Sequence, residues 1–340
     1  MPRIVIELTN RCNLSCGHCF AERHAATGDL SLAVLEKVLR EGKGCGIEQL
    51  SFTGGEPTIH RRFREIIKRV AETGYSFSFV SNGTSFPRIY PLLLKYRPWF
   101  LGVTFSLDGA HEETHDRLRG RGSYRGVMRA ASICVAKELP FTLNMVLTAQ
   151  NRDEIGEMVG LAERLGSNGV RFGHLMTTPE TTARKLDLSP EARRDIESEI
   201  RGLRKSAFIP VGMAPGYFSE LPFFPCGPLE LEEYNLDYNG NLTLCCQLSG
   251  HSGQNDRTDV MGNLNQISLT EACERFRLRV ATYLADKRKK FNRGEFSELD
   301  HFPCWYCLKY LGKTSWLSSF PNHPWSPSNE IHRKETHTSC

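Results

Sequence analysis

Six short apolar stretches recur along the first half of the chain, each followed by a polar turn and then by a longer segment with helical periodicity. The apolar runs are Ile4 to Leu8, Gln49 to Thr53, Ser76 to Val80, Trp99 to Phe105, Phe141 to Leu147 and Gly169 to Met176, and their length and bounding turns predict β-strands. Between them, Leu30 to Glu41, Arg61 to Thr73, Pro87 to Tyr96, Tyr124 to Lys137 and Arg152 to Leu165 predict helices, with Glu191 to Lys205 after the last strand. Strand, helix, strand in that order makes parallel pairs with right-handed crossovers. The expected fold class is α/β, a parallel sheet curling into an open, partial (β/α)6 barrel, with the polar residues that close the strands collected at one rim.

Chemistry enters where the first strand ends. Cys12, Cys16 and Cys19 stand in a C-x3-C-x2-C array inside RCNLSCGHCF. That spacing offers one iron-sulfur cube three thiolates from a single loop and leaves its fourth iron without a protein ligand. A zinc site or three unrelated buried thiols is the alternative. The second strand runs into Gly54-Gly55-Glu56-Pro57, and parallel topology sets this turn beside the cysteine loop. Without Cβ atoms, Gly54 and Gly55 let backbone approach a ligand closely, and Glu56 can accept from an ammonium group. Alone, such a turn is more often an ordinary loop.

Cys12, Cys16, His18 and Cys19, followed by Gly54-Gly55-Glu56-Pro57, resemble the radical S-adenosylmethionine (SAM) enzymes. The resemblance implies a four-iron, four-sulfur (4Fe-4S) cluster on the three thiolates, with SAM chelating the open iron and cleaved to a 5'-deoxyadenosyl radical. The family usually has an aromatic residue before its third cysteine; here His18 offers the flat face. The resemblance further implies SAM contacts from Gly54, Gly55, Glu56 and Pro57, and at the strand ends from Ser81, Ser106, Asp108 and Asn144, with Arg119 for the SAM carboxylate. Against these stand strand-end caps for the serines and asparagine, and a solvated loop charge for Arg119. His174 reads as a structural histidine before a pocket residue.

The last third carries a second cysteine set. Cys226 is followed by Gly240, Cys245 and, after a long gap, Cys304 and Cys307; Tyr234 to Tyr238 and Leu242 to Cys246 flank Asn239-Gly240 as a predicted hairpin. The arrangement resembles the shortened SPASM module called Twitch, which implies one auxiliary 4Fe-4S cluster on Cys226, Cys245, Cys304 and Cys307. Spacing alone suits tetrahedral zinc equally well. Of the tandem Cys245-Cys246, adjacent strand residues point to opposite faces, so one ligates, and Cys245 has the offset that fits. Cys45, Cys134, Cys273 and Cys340 lack metal-like neighbours and read as incidental thiols. The expected division is residues 1–215 for the barrel, 216–312 for the auxiliary module and 313–340 for a tail. That tail is either a loose extension or a cover over the barrel mouth through Trp316, Phe320 or Trp325.

Composition narrows the class. With 40% hydrophobic and 24% charged residues the chain is globular, and a net charge of +4 over 340 residues is too small to argue for nucleic acid. Asp286-Lys287-Arg288-Lys289-Lys290 reads as a solvated helix end. No signal peptide or membrane-length apolar run is present, and the cysteines group for metal rather than as disulfide pairs, so a reducing cytoplasm is expected. An auxiliary cluster fully held by cysteine suits electron uptake, so net oxidative chemistry is expected: peptide crosslinking or side-chain oxidation. The alternatives are a dehydrogenase, epimerase or C–C bond-forming enzyme on a sugar or other small metabolite, and a non-catalytic iron-sulfur electron-transfer protein. The chain begins directly on its first strand, so a separate leader-binding protein is an expected partner for a peptide substrate, beside an electron donor such as flavodoxin or ferredoxin.

Overall fold

The computed structural model describes residues 2–19, 26–224, 226–248 and 259–326; Cys340 and the end of the expected tail lie outside them. Strands β1 (Arg3–Thr9), β2 (Gln49–Gly54), β3 (Ser76–Ser81), β4 (Phe100–Ser106), β5 (Phe141–Leu147) and β6 (Val170–His174) pair in sequence order, all parallel. A short β7 (Val211–Met213), which the sequence did not suggest, adds a further parallel edge. Helices α1 (Leu32–Glu41), α2 (Phe63–Glu72), α3 (Phe86–Lys95), α4 (Glu112–Arg119), α5 (Ser123–Lys137), α6 (Ile155–Arg164), α7 (Pro179–Ala183) and α8 (Pro190–Leu203) follow the strands. This is the expected α/β partial barrel.

Period-2 alternation decides which face does what. On β1, Ile4, Ile6 and Leu8 are fully buried under α1, which packs back through Val34, Leu35, Val38 and Leu39. The residues between them face the other way. Val5 and Glu7 are in register with Ser51 and Thr53 of β2, Ser51 with Ser78 of β3, and Asn144 of β5 with Arg171 of β6. Hydroxyls bridge neighbouring strands on this concave face, Ser78 to Ser51 at 3.2 Å and Thr104 to Thr142 at 3.0 Å. Most of its positions remain partly exposed. The helix-facing side is therefore the apolar core, while the inner side is an accessible, hydroxyl-lined wall.

The segment after residue 215 continues the same sheet. β8 (Glu233–Leu236) pairs parallel with β1, and β9 (Asn241–Thr243) and β10 (Val260–Asn263) extend it antiparallel, giving one ten-stranded sheet. The predicted hairpin forms at Asn239-Gly240, where Gly240 has φ 85° and the Asp237 carboxylate accepts from Asn239 N and Asn241 N. α9 (Leu269–Asn292), capped by Ser268, and α10 (Pro303–Tyr310) complete the fold.

Two expectations are corrected here. Lys287 is not part of a solvated helix end: it is 3% exposed, its ammonium 4.7 Å from the centre of the Tyr306 ring. The tail as far as residue 326 is not loose. Trp325 is fully buried, donates from Nε1 to Leu188 O at 2.8 Å, and packs on Phe302 and Trp305.

Candidate functional site

The cysteine loop leaves the end of β1 and is clamped on both sides by backbone. Gly55 N donates to Thr9 O and Glu56 N to Arg11 O, both at 2.8 Å, so the Gly-Gly-Glu-Pro turn is zipped to the residues that lead into Cys12. A Cβ at Gly54 would stand 2.0 Å from Thr9 O, and one at Gly55 2.1 Å from Arg11 O; Gly54 also has φ 134°. Glycine is thus required here by the chain's own crossing. Farther along, Gly17 N donates to Leu118 O at 2.9 Å, and Arg184 reaches Gly17 O at 2.6 Å.

Cys12 and Cys19 are partly buried and Cys16 is 6% exposed. Asn82 reaches Cys12 Sγ at 3.8 Å and holds Asn13 Oδ1 at 2.8 Å; Arg119 Nη1 lies 3.9 Å from Cys16 Sγ. Burial pushes the Cys16 thiol up to about 11, and the Arg119 guanidinium pulls the other way. Arg119 is therefore not a solvated loop charge. It closes α4 with its side chain 12% exposed, ion-paired to Asp108.

Asp108 organises the surrounding shell. Fully buried, its carboxylate accepts from Val146 N at 2.8 Å, from Arg119, and from His18 Nε2 at 3.0 Å. Burial works to raise its pKa, but Arg119 and His18 prevail and hold the carboxyl far below the usual range. The Asp108 backbone N–H donates to His115 Nδ1 at 3.0 Å, a role only an unprotonated nitrogen can fill. Burial holds His115 down at about 4. Between pH about 6.5 and 4 the unfolded chain takes a proton that the folded one refuses, so stability falls as pH falls through that window, by up to ~3 kcal/mol. Urea unfolding at pH 7.5, 5.5 and 4.5 checks this, and His115→Gln is expected to flatten the dependence.

Glu56 is 1% exposed, and its carboxylate accepts from Ser81 Oγ at 2.9 Å, Asn82 N at 2.7 Å and Thr58 Oγ1 at 2.5 Å. It stitches the end of β2 to the end of β3, and Ser81 is its partner. Pro57 begins the single helical turn that follows. Ser106 and Asn144 face each other in register on the concave wall. His174 faces away from it, in register with the fully buried Leu147, under Gly216 and beside Tyr217. The concave residues Ser51, Ser78, Thr104, Thr142 and Arg171 were not singled out in the sequence. The signal lay in the alternation of runs such as Ser76-Phe77-Ser78-Phe79.

The second cysteine set converges. Cys226, Cys245, Cys304 and Cys307 line one cavity with Met176, Leu229, Leu244, Leu248 and Leu308, and Cys245, not Cys246, forms part of the wall. Burial raises Cys226 to about 11 and Cys307 to about 12. Among the described residues, no three Cys, His, Asp or Glu side chains close on one point as a single ion requires. That observation concerns mononuclear sites, since the thiolates of an iron-sulfur cube stand farther apart than those around one zinc. Among the same residues, no helix is long and apolar enough to cross a membrane.

Comparison with known proteins agrees with this geometry. Over 228 residues the chain is 26% identical to the PqqA peptide cyclase of Methylobacterium nodulans, covering 64% of this chain and 60% of that protein. It is 28% identical over 194 residues to the mycofactocin maturase MftC of Mycobacterium tuberculosis (56% and 49%). Over 185 residues it is 32% identical to the AdoMet-dependent heme synthase of Methanosarcina barkeri (52% of each). The chain thus spans about half to three-fifths of the length of these relatives. Streptococcus suis SuiB bound to S-adenosylmethionine shares the fold with a TM-score of 0.64 at 18% identity, over 79% of this chain and 64% of that one. Native anSMEcpe with bound AdoMet does so with a TM-score of 0.64 at 18% identity, over 95% and 98%. The Radical SAM superfamily model matches residues 6–162, a stretch that takes in the cysteine loop, the Gly-Gly-Glu-Pro turn and Asp108 with Arg119 but ends before the second cysteine set. Residues 6–162 are thus the stretch of this chain that is similar to the Radical SAM superfamily.

Proposed function

We propose that this protein is a radical SAM enzyme that modifies a peptide, with a 4Fe-4S cluster on Cys12, Cys16 and Cys19 and SAM seated against the cysteine loop and the concave rim. The donor set fits: three thiols on one clamped loop, the soft ligands such a cluster takes, with a guanidinium beside one of them. Held by Cys12, Cys16 and Cys19, such a cluster would supply the electron for reductive cleavage of SAM and so the means of hydrogen abstraction from an unactivated carbon.

The chain's own residues set the stage for that chemistry. Arg119 stabilises the Cys16 thiolate, and Asp108 fixes Arg119 and His18 in turn. Glu56 and Ser81 lock the turn that clamps the loop. His18, Gly54, Gly55, Glu56, Pro57, Ser81, Ser106, Asp108, Arg119 and Asn144 all lie on or around this rim and are proposed to shape the SAM pocket. Ser106 and Asn144 do so directly, and Asp108, whose oxygens are engaged within the chain, through Arg119. The hydroxyl-lined wall gives substrate a polar approach from the open side of the barrel.

Cys226, Cys245, Cys304 and Cys307 are proposed to hold an auxiliary 4Fe-4S cluster. Four cysteines leave no vacant position for substrate, which suits electron uptake and hence an oxidative outcome, a crosslink or an oxidised side chain. The likenesses to a peptide cyclase and a maturase favour a peptide; the heme synthase likeness keeps a small-molecule substrate as the second reading.

The observation that carries the proposal is the clamped three-thiol loop inside the superfamily match. Iron-loaded protein incubated anaerobically with SAM, dithionite and short peptides encoded beside it is expected to form 5'-deoxyadenosine and a peptide of altered mass. Absence of 5'-deoxyadenosine above a no-enzyme control contradicts the enzyme reading; 5'-deoxyadenosine with every peptide unchanged shifts the substrate to a small molecule.

A further inference from the structure

Two buried cations pack on residues that adjoin the wall of the four-thiol cavity, and among the described residues neither is ion-paired to a carboxylate. Arg193 of α8 and Lys287 of α9 are each 3% exposed. The Arg193 guanidinium donates to neutral acceptors, Leu175 O at 2.8 Å and Gly216 O at 3.3 Å, and lies 4.5 Å over the Trp325 ring. The Lys287 ammonium is ringed by Tyr306, Phe223 and Phe296, at 4.7, 5.8 and 5.9 Å.

Among the described residues no carboxylate forms an ion pair with either cation. The nearby acids are already engaged: Asp187, whose charge reaches Arg193, by Thr181 Oγ1 at 2.8 Å, Thr182 Oγ1 at 2.6 Å and His323 Nε2 at 3.2 Å, Asp300 by Lys290 at 2.7 Å and Lys309 at 3.4 Å, Asp259 by Lys313 at 3.1 Å, and Glu233 by Arg3 at 2.6 Å. Aromatic faces and carbonyls offset part of the cost of burying a full charge, but a cation without a paired anion still carries a net desolvation cost.

Both cations are tied to the cysteine wall. Met176, next to the Leu175 carbonyl that Arg193 holds, lines the cavity with Cys304 and Cys307. Trp325, under Arg193, packs 4.8 Å from Trp305, the residue after Cys304; Tyr306, under Lys287, precedes Cys307.

We propose that Arg193 and Lys287 are the counter-cations of a metal centre held by Cys226, Cys245, Cys304 and Cys307, and that they poise it to accept an electron. The proposal rests on the four-thiol reading above. Four thiolates around a core of charge about +2 leave a net charge of about −2, which two fixed cations balance. One-electron reduction adds one more negative charge to the centre, and a nearby cation stabilises the reduced form more than the oxidised one. These are positioning residues: they act through the thiolates and touch no substrate.

The test uses the whole chain with Cys12, Cys16 and Cys19 changed to alanine, reconstituted with iron and sulfide, so that only the second site can hold a cluster. In an EPR-monitored redox titration, Lys287→Met is expected to lower the reduction equilibrium constant about tenfold, a midpoint about 59 mV more negative, while Lys287→Arg restores most of the loss. In metal-free protein, Lys287→Met is expected to slow iodoacetamide alkylation of Cys307, read by mass spectrometry, about fivefold or more. A chain that takes up no iron at this site overturns the four-thiol reading. An iron-loaded chain whose midpoint and alkylation rate ignore Lys287→Met overturns the counter-cation assignment alone.

Discussion

Replacing Cys16 with alanine is expected to cut 5'-deoxyadenosine formation by roughly a thousandfold or more, to the level of enzyme-free controls. The reason is the donor set. Cys12, Cys16 and Cys19 share one short loop, Cys19 N bonds Cys16 O at 3.1 Å, and the loop's sequence offers no fourth cysteine to replace the one removed. The fold should survive. Cys16 sits at the sheet's rim, outside the continuous apolar core that runs between strands and helices. Far-ultraviolet circular dichroism is expected to match the wild type, while iron bound at this site falls. Retained turnover in the variant would mean that the loop is not what holds the reactive centre.

Gly55→Val is expected to do comparable damage by a different route. The new Cβ would lie 2.1 Å from Arg11 O, a distance no real Cβ keeps, and the obstacle is backbone that cannot rotate away. Either the Gly55 N to Thr9 O and Glu56 N to Arg11 O bonds break, or the cysteine loop shifts outward with them. Losing two partly buried backbone hydrogen bonds and absorbing the strain is expected to cost ~3 kcal/mol or more. Urea denaturation measures the stability loss, and iron analysis measures the cluster loss; both should change together. A variant of normal iron content and normal stability would show that the two loops are not coupled through this crossing.

Much of the barrel was legible because strand signals here are local. Phe141–Leu147 forms with the bounds its apolar run suggests, and the first four strands differ from expectation only at their ends. The reason is that one face of every strand is packed under helices, so alternation is enforced along the whole run. Cys226, Cys245, Cys304 and Cys307, grouped in the sequence by spacing, line one cavity in the structure.

What escaped depends on distant partners. α4, with the sequence Glu-Glu-Thr-His-Asp-Arg-Leu-Arg, has almost no apolar stripe. It is held by tertiary hydrogen bonds instead: the Asp116 carboxylate accepts from Tyr124 N at 2.9 Å and His115 accepts from Asp108 N. Arg119 at its end, expected on the SAM carboxylate with a solvated loop charge as the alternative, was therefore not foreseen as the buried partner of Asp108. Lys287 lies in a run of cations that normally marks a wet helix terminus, and it is Phe223, Phe296 and Tyr306, none of them on its own helix, that show one of these cations to be enclosed. Trp325 sits among prolines and serines whose composition resembles a loose tail, yet Leu188, Phe302 and Trp305 bury it. In each case local composition was outweighed by long-range packing.

The most direct measurement is the EPR spectrum of the reduced protein, with Cys304 and Cys307 changed to alanine so that only the amino-terminal loop holds a cluster, recorded before and after adding SAM. A cluster on Cys12, Cys16 and Cys19 with an iron open to SAM predicts a clear change in g values when SAM is added. An identical spectrum in the presence of saturating SAM would contradict it.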